Sequence, residues 1–160
     1  MTRAGDSKPD RPDIVALPPL VLALFLGAAL ALQWLWPLPV SGTHRYLWRP
    51  GLFLALAGVA LAVWAARALV RAGTHVHPRR PTTSIVCDGP FRFSRNPIYL
   101  ALLMIYLGVT LLFNSWWGPL LLLPLAAALH FGVVKPEERY LLEKFGHEYR
   151  SYRKRVRRYI

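Results

Sequence analysis

The sequence predicts an all-α integral membrane helical bundle of about four transmembrane helices, followed by an amphipathic C-terminal helix. Three observations predict it. Apolar residues make up 54% of the 160 positions, and they gather into four long runs rather than spreading as they would through a soluble core. The charged residues fall between those runs, with 20 Lys and Arg against 8 Asp and Glu and a formal net charge of +12. The basic ones collect in one connection and in the C-terminal tail, the asymmetry expected of a multi-pass membrane protein.

Residues 1–16 mix Arg3, Lys8 and Arg11 with Asp6, Asp10 and Asp13, and include Pro9 and Pro12. They predict a polar, disordered tail ahead of one membrane domain spanning 17–160. The first apolar run covers 17–36 with Gln33 as its one polar residue, about the 20 residues that cross the hydrocarbon core. It ends in Trp34 and Trp36, rings that favour the interface, and has no small-residue cleavage site. A retained helix is expected there, not a signal peptide.

A loop with His44, Arg45 and Arg49 leads to a second span over 51–70, where Arg67 lies near enough to the end to snorkel. A connection rich in Pro, Thr and Arg reaches the third span, 97–113. The turn Asn114-Ser115-Trp116-Trp117-Gly118-Pro119 returns the chain into a short fourth span, 119–134, which contains Pro124 and His130. A C-terminal helix is then expected over 136–158. Pro136 suits its first position and Glu137 and Glu138 its first turn. Leu142, Phe145, Tyr149, Tyr152 and Val156 form one apolar stripe, and Gly146 is expected to bend it. There is no internal repeat.

Four spans put the connection with Arg71, Arg79, Arg80, Arg92 and Arg95 on the same side as the basic tail. The positive-inside rule makes that side, and both termini, cytoplasmic. Nucleic acid is not an expected partner, because nearly uncharged runs leave no room for a solvated basic face. A single cysteine, Cys87, excludes an internal disulfide framework. His75 and His77 have no acidic or thiol neighbour, so no metal is expected.

Three stretches outside the spans could carry chemistry. Gly89-Pro90-Phe91-Arg92-Phe93-Ser94-Arg95-Asn96-Pro97-Ile98-Tyr99 runs into the third span, with Asn96 placed as an N-cap. Glu137-Glu138 follows the fourth span. Phe145-Gly146-His147-Glu148-Tyr149-Arg150-Ser151-Tyr152 lies in the tail helix. Taken singly they read as a capped membrane helix, helix-start carboxylates and an interfacial helix face.

In this order, around a membrane hairpin, they resemble the isoprenylcysteine carboxyl methyltransferase family and the related phospholipid methyltransferases. That signature has a Gly-Pro-aromatic-Arg segment running into Arg-His-Pro-x-Tyr, then Glu-Glu-x-x-Leu and Phe-Gly-x-x-Tyr-x-x-Tyr. The likeness covers about residues 74–158.

The resemblance implies a pocket for S-adenosylmethionine between the ends of the last two spans and the tail. It makes Asn96, Pro97, Tyr99, Glu137 and Glu138 cofactor-binding candidates. Arg92 or Arg95 would pair the cofactor carboxylate or an anionic acceptor. Arg95, Glu138 and His130 are the candidates for the chemistry, and a structural hydrogen bond is an equal alternative for the intramembrane His130. One departure stands out: position 96 is Asn where His is commoner, and Asn cannot titrate near neutrality. An arginine expected near the acidic pair has no clear match in Lys135 or Arg139.

The expected activity is methyl transfer to a lipid-like or amphiphilic acceptor at the membrane, either carboxyl O-methylation of an isoprenylcysteine-type acid or N-methylation of a phospholipid ethanolamine. Two non-enzymatic classes compete. A metal-resistance accessory would depend on His75 and His77, and a basic lipid-surface anchor on the tail arginines.

Overall fold

The computed structural model describes residues 10–41, 47–77 and 80–159. Among them lie helices α1 (Pro18–Leu35), α2 (Trp48–Arg71), α3 (Pro97–Leu112), α4 (Trp117–Leu129) and α5 (Lys135–Arg155), with one 3₁₀ turn at Gly89–Arg92. No strand forms among the described residues, and the all-α class holds. Three helices are long and apolar enough to cross a membrane: α1, α2, and a continuous helix running from Trp117 to Arg155. Their outward side chains, among them Leu20, Leu24, Phe53, Leu56 and Leu123, stay exposed, as a lipid-facing surface would.

The third expected span differs. Helix α3 is apolar but has 16 residues, about 24 Å at 1.5 Å per residue, against the roughly 30 Å of a hydrocarbon core. It is also the most enclosed helix, touching α1, α2 and α4 and burying Tyr99, Ala101, Tyr106, Gly108 and Thr110. Its start, Asn96 and Pro97, is buried in protein, where non-helical backbone is tolerated at membrane depth.

Small residues bring α2 and α3 together. A Cβ added at Gly108 would stand 2.5 Å from the Ala55 backbone nitrogen, and one at Gly58 would stand 2.9 Å from the Ala101 carbonyl. Gly51, Ala55 and Gly58 thus face Ala101, Ile105 and Gly108. Lipid supplies no hydrophobic drive between helices, so backbone approach of this kind supplies the packing. At the end of the bundle away from the acidic pair, Asn114 adopts a positive φ of 52°. Its amide donates to the Ser41 carbonyl at 2.7 Å, and its side-chain oxygen accepts the Ser41 N–H at 3.0 Å. The Trp117 indole N–H donates to the Trp36 carbonyl at 2.9 Å. The α3–α4 turn is therefore tied to the loop after α1.

One boundary differs from that expected. The fourth span and the tail helix are not separate: a π-helical turn, His130–Val134, joins α4 to α5 without a break. Pro136 explains the turn. Its ring and missing N–H would spoil the bond to the Gly132 carbonyl, four residues back. That carbonyl instead accepts the Val15 N–H at 3.0 Å. We take the membrane-spanning part of this helix to end at Val134, where the charged residues begin. The expected bend at Gly146 is present, with φ 48° and ψ −111° inside α5.

Of the tail expected to be disordered, residues 1–9 lie outside the described residues. The remainder runs along the α4–α5 junction: Ile14 is buried, and Asp10 pairs with Lys144 at 2.7 Å.

Candidate active site

A cavity of about 210 Å³ opens where the start of α3, the start of α5 and the α2–α3 connection meet. Its apolar wall comes from Leu69, Val86, Phe91, Ile98, Leu102 and Leu141, and Pro18 and Pro19 close it from the first turn of α1. Arg95, Asn96, Pro97, Tyr99, Glu137 and Glu138, six of the candidates drawn from the sequence, line it together.

Tyr99 and Glu137 form the first polar contact. The Tyr99 hydroxyl donates to a Glu137 carboxylate oxygen at 2.6 Å, linking α3 to α5. Burial raises the Glu137 carboxyl above its ordinary 4.5, and the hydrogen bond from Tyr99 partly offsets that rise.

Glu138 is held differently. Arg158, beyond the end of α5, reaches back to donate through Nε to both Glu138 oxygens at 3.2 Å and through Nη2 to Oε2 at 2.8 Å. Arg95 lies against the other face, with Nη1 3.1 Å from Oε1. The Arg95 and Glu138 side chains are each 8% exposed, whereas that of Arg158 is 33% exposed. These hydrogen bonds raise the Arg158 guanidinium above its ordinary value. Removing Glu138 would leave two guanidiniums without their carboxylate, a cost of about 3–5 kcal/mol by analogy with broken buried pairs. Its first role is to hold the site together.

The tail continues the same closure through its backbone. The Arg157 carbonyl accepts the Arg95 N–H at 3.0 Å. The Arg158 carbonyl accepts the Asn96 side-chain amide at 3.0 Å and the Ser94 hydroxyl at 3.3 Å. Asn96 stands at the N-cap of α3, as expected, but its side chain makes no capping bond. It is spent on the tail. Below it, the Tyr152 hydroxyl donates to the Phe91 carbonyl at 2.8 Å.

Two candidates do not reach the cavity. Arg92 is exposed on the 3₁₀ turn. His130 lies in the π-helical turn, with Nδ1 2.7 Å from the Tyr159 hydroxyl, a structural bond that again anchors the tail. His75 and His77 are exposed and line the cavity rim, so they stand nearer to the site than their spacing suggested. Sequence reasoning missed Arg158 altogether, because nothing distinguishes it within the run Arg153 to Arg158. Tyr149 and Tyr152 were visible only as stripe and motif positions, and both line the cavity.

On the outer side, Tyr140 gathers three partners. Its hydroxyl accepts the Thr82 N–H at 3.2 Å and the Lys144 ammonium at 3.0 Å, and it donates to Asp10 at 2.9 Å. The Lys144 and Tyr140 hydrogen bonds hold the Asp10 carboxyl below its usual value. The α2–α3 connection is thereby fastened to α5 beside the cavity.

The family model for phospholipid methyltransferases matches residues 47–148, which include α2, α3, the α3–α4 hairpin and the acidic pair. The chain belongs to the phospholipid methyltransferase family. No curated protein and no solved structure matches it. Membership in the phospholipid methyltransferase family makes the protein a membrane methyltransferase, of a group that acts on lipid-like substrates and in general uses S-adenosylmethionine. The matched region ends before Tyr149, so the tail that completes the cavity lies outside it.

The residues present fit such a cofactor. A half-buried carboxylate, Glu137, faces the cavity with one hydroxyl partner, and can take an ammonium or sulfonium charge. Arg95 lines the same cavity with its Nε buried and without a hydrogen-bond partner, and can take a carboxylate. The apolar wall suits a purine ring.

Proposed function

We propose that the protein is an S-adenosylmethionine-dependent methyltransferase of the isoprenylcysteine carboxyl methyltransferase type, and that it methylates the carboxylate of an amphiphilic acid at the membrane. One observation carries the reading: a cavity lined mostly by the family-matched segments presents Glu137 and Arg95 together, opposite charges suited to the cofactor's head. When bound, S-adenosylmethionine supplies an electrophilic methyl group, and the enzyme's work is then mainly positioning.

Glu137 would hold the cofactor's positive end, and the Tyr99 hydroxyl fixes the carboxylate's orientation. Asn96, Pro97 and the tail backbone would exclude water from the reacting end. A carboxylate acceptor is already ionised near neutrality and needs no general base. That agrees with Asn at position 96, which cannot accept a proton there. The acceptor's apolar chain would remain among the lipid-facing helices.

Amine methylation of a phospholipid ethanolamine head is the second reading, favoured by the family match itself and by Glu137, whose raised pKa suits a group that takes a proton from an ammonium. The two separate by product. Labelled-methyl transfer from S-adenosylmethionine into a lipid extract should yield a base-labile ester if the acceptor is a carboxylate, and a base-stable amine if it is ethanolamine. No incorporation, together with no binding of the cofactor to purified protein, would reject both.

The basic connection and tail would face the cytoplasm by the positive-inside rule, which puts the cavity where the cofactor is available. Labelling of Cys87 from one membrane side tests this placement.

A further inference from the structure

We propose that Arg158 is a positioning residue: by satisfying Glu138 it leaves the charge of Arg95 free to bind a carboxylate inside the cavity, so that the site reads an α-amino-acid zwitterion. The proposal rests on the cofactor reading above and names which part of the ligand the polar end recognises.

The charges make the case. Glu138 carries one negative charge and two guanidiniums meet it, leaving one positive charge in excess. The two guanidiniums are not equivalent. Arg158 offers three donor contacts, between 2.8 and 3.2 Å, covering both carboxylate oxygens. Arg95 makes one close approach, 3.1 Å from Nη1, without hydrogen-bond alignment. Arg95 Nε is buried without a hydrogen-bond partner among the described residues, and beyond Glu138 the polar neighbour of the guanidinium is the Tyr149 hydroxyl, which is neutral and leaves its charge uncancelled.

Arg95 lines the cavity and Arg158 does not. A buried guanidinium with donors left over is a site for an anion, and a carboxylate matches its fork. Glu137 lines the same cavity and supplies the opposite pole. Among the described residues the Tyr99 hydroxyl is its one hydrogen-bond donor, and that donor is neutral, so no paired cation among them cancels its charge. One positive and one negative pole in one small cavity suit a group carrying both an ammonium and a carboxylate. The aminocarboxypropyl end of S-adenosylmethionine is such a group.

If Arg158 were absent, Glu138 would turn its full charge on Arg95, and the positive pole would be lost. Loss of Glu138 together with Arg158 would restore it. A residue that merely tied down the tail would show no such rescue.

The test compares binding of S-adenosylmethionine with binding of its decarboxylated analogue to purified protein by calorimetry. The wild type should bind the intact cofactor at least about tenfold more tightly, the order expected of one charge-assisted contact. Arg95→Gln and Arg158→Gln should each bring the ratio close to one, while affinity for the decarboxylated analogue changes little. Arg158→Lys should keep part of the preference, and the double variant Glu138→Gln with Arg158→Gln should regain it.

Equal binding of both ligands by the wild type overturns the proposal and leaves the methyltransferase reading standing. Binding of neither ligand overturns both. A preference unchanged in Arg158→Gln also overturns it. If that variant does not fold, Arg158→Lys decides, since a preference there as large as the wild type's is contrary to the proposal. A carboxylate belonging to the acceptor instead of the cofactor would show as equal cofactor binding but weaker capture of a farnesylcysteine acid in Arg95→Gln, and would overturn the zwitterion assignment.

Discussion

The Tyr99 hydroxyl and the Glu137 carboxylate meet at 2.6 Å, and theirs is the hydrogen bond that joins α3 directly to α5 inside the cavity. The pair has a pH consequence. Burial raises the Glu137 pKa above 4.5, and a hydrogen bond to the charged form lowers it, so the two effects oppose. Binding of a cationic ligand requires the carboxylate. It should be full above the raised pKa and fall as pH drops through it, at a higher pH than an ordinary Glu would show. Tyr99→Phe removes the lowering contribution and should move that midpoint further up. Glu137→Gln should bind weakly and lose this dependence. Calorimetric titrations of S-adenosylmethionine across pH check all three, and a Tyr99→Phe midpoint that shifts down contradicts the account.

Asn96 separates packing from acid–base chemistry at the position where the family commonly has His. Its amide donates to the Arg158 carbonyl, so the side chain is needed as a donor and not as a proton carrier. Asn96→His should keep the tail docked, since an imidazole N–H can donate. Asn96→Leu should leave the carbonyl only its longer bond from the Ser94 hydroxyl, at about 0.5–1.5 kcal/mol, and loosen the tail. Limited proteolysis after the tail arginines is the readout. Equal cleavage in both variants is the outcome this reading forbids.

The close approach of α2 to α3 predicts a steep response to added volume. At Gly108 a Cβ would meet the Ala55 and Gly51 backbones at 2.5 to 2.8 Å, and backbone cannot swing aside as a side chain can. Gly108→Ala should destabilise by about 1–3 kcal/mol, the range seen for overpacked cores. It should also weaken ligand binding, because Leu69 on α2 and Leu102 on α3 both line the cavity. Denaturation in mixed micelles measures the first effect and calorimetry the second.

Much of this is legible in the sequence, and the reasons are local. Apolar runs, Pro at helix starts and Gly146 in the stripe announce the helices and the bend, because each is set by neighbours within a few residues. The grouping of Asn96, Tyr99 and the acidic pair follows from a tight hairpin that returns the chain to the same membrane face. Other features depend on contacts between distant segments. The return of Arg158 to Glu138 spans 20 residues, and the tail is held by backbone carbonyls that carry no side-chain signature. His130 read equally as a catalyst or as a structural hydrogen-bonding group, and its Nδ1 meets the hydroxyl of Tyr159, 29 residues on. The uninterrupted α4–α5 helix was hidden by Pro136, whose disruption is absorbed by a π-helical turn and by Val15.

Gly146 supplies the last test, because its environment separates backbone strain from steric crowding. Its φ of 48° is one that L side chains rarely adopt, yet an added Cβ would meet nothing within 4 Å. Gly146→Ala should therefore cost more than the roughly 0.4–1 kcal/mol that such a change gains at a compatible site, and the cost would be conformational. Straightening α5 would relieve it, but would carry Tyr152 away from the Phe91 carbonyl and Tyr149 from the cavity wall, and open the cavity. Weaker ligand binding and a lower thermal midpoint should appear together. Gly27, in the middle of α1, is the control. Its added Cβ would also meet nothing within 4 Å, and its φ is not positive, so Gly27→Ala should leave both unchanged or raise the midpoint. Equal loss in the two variants would mean that α5 does not depend on its kink.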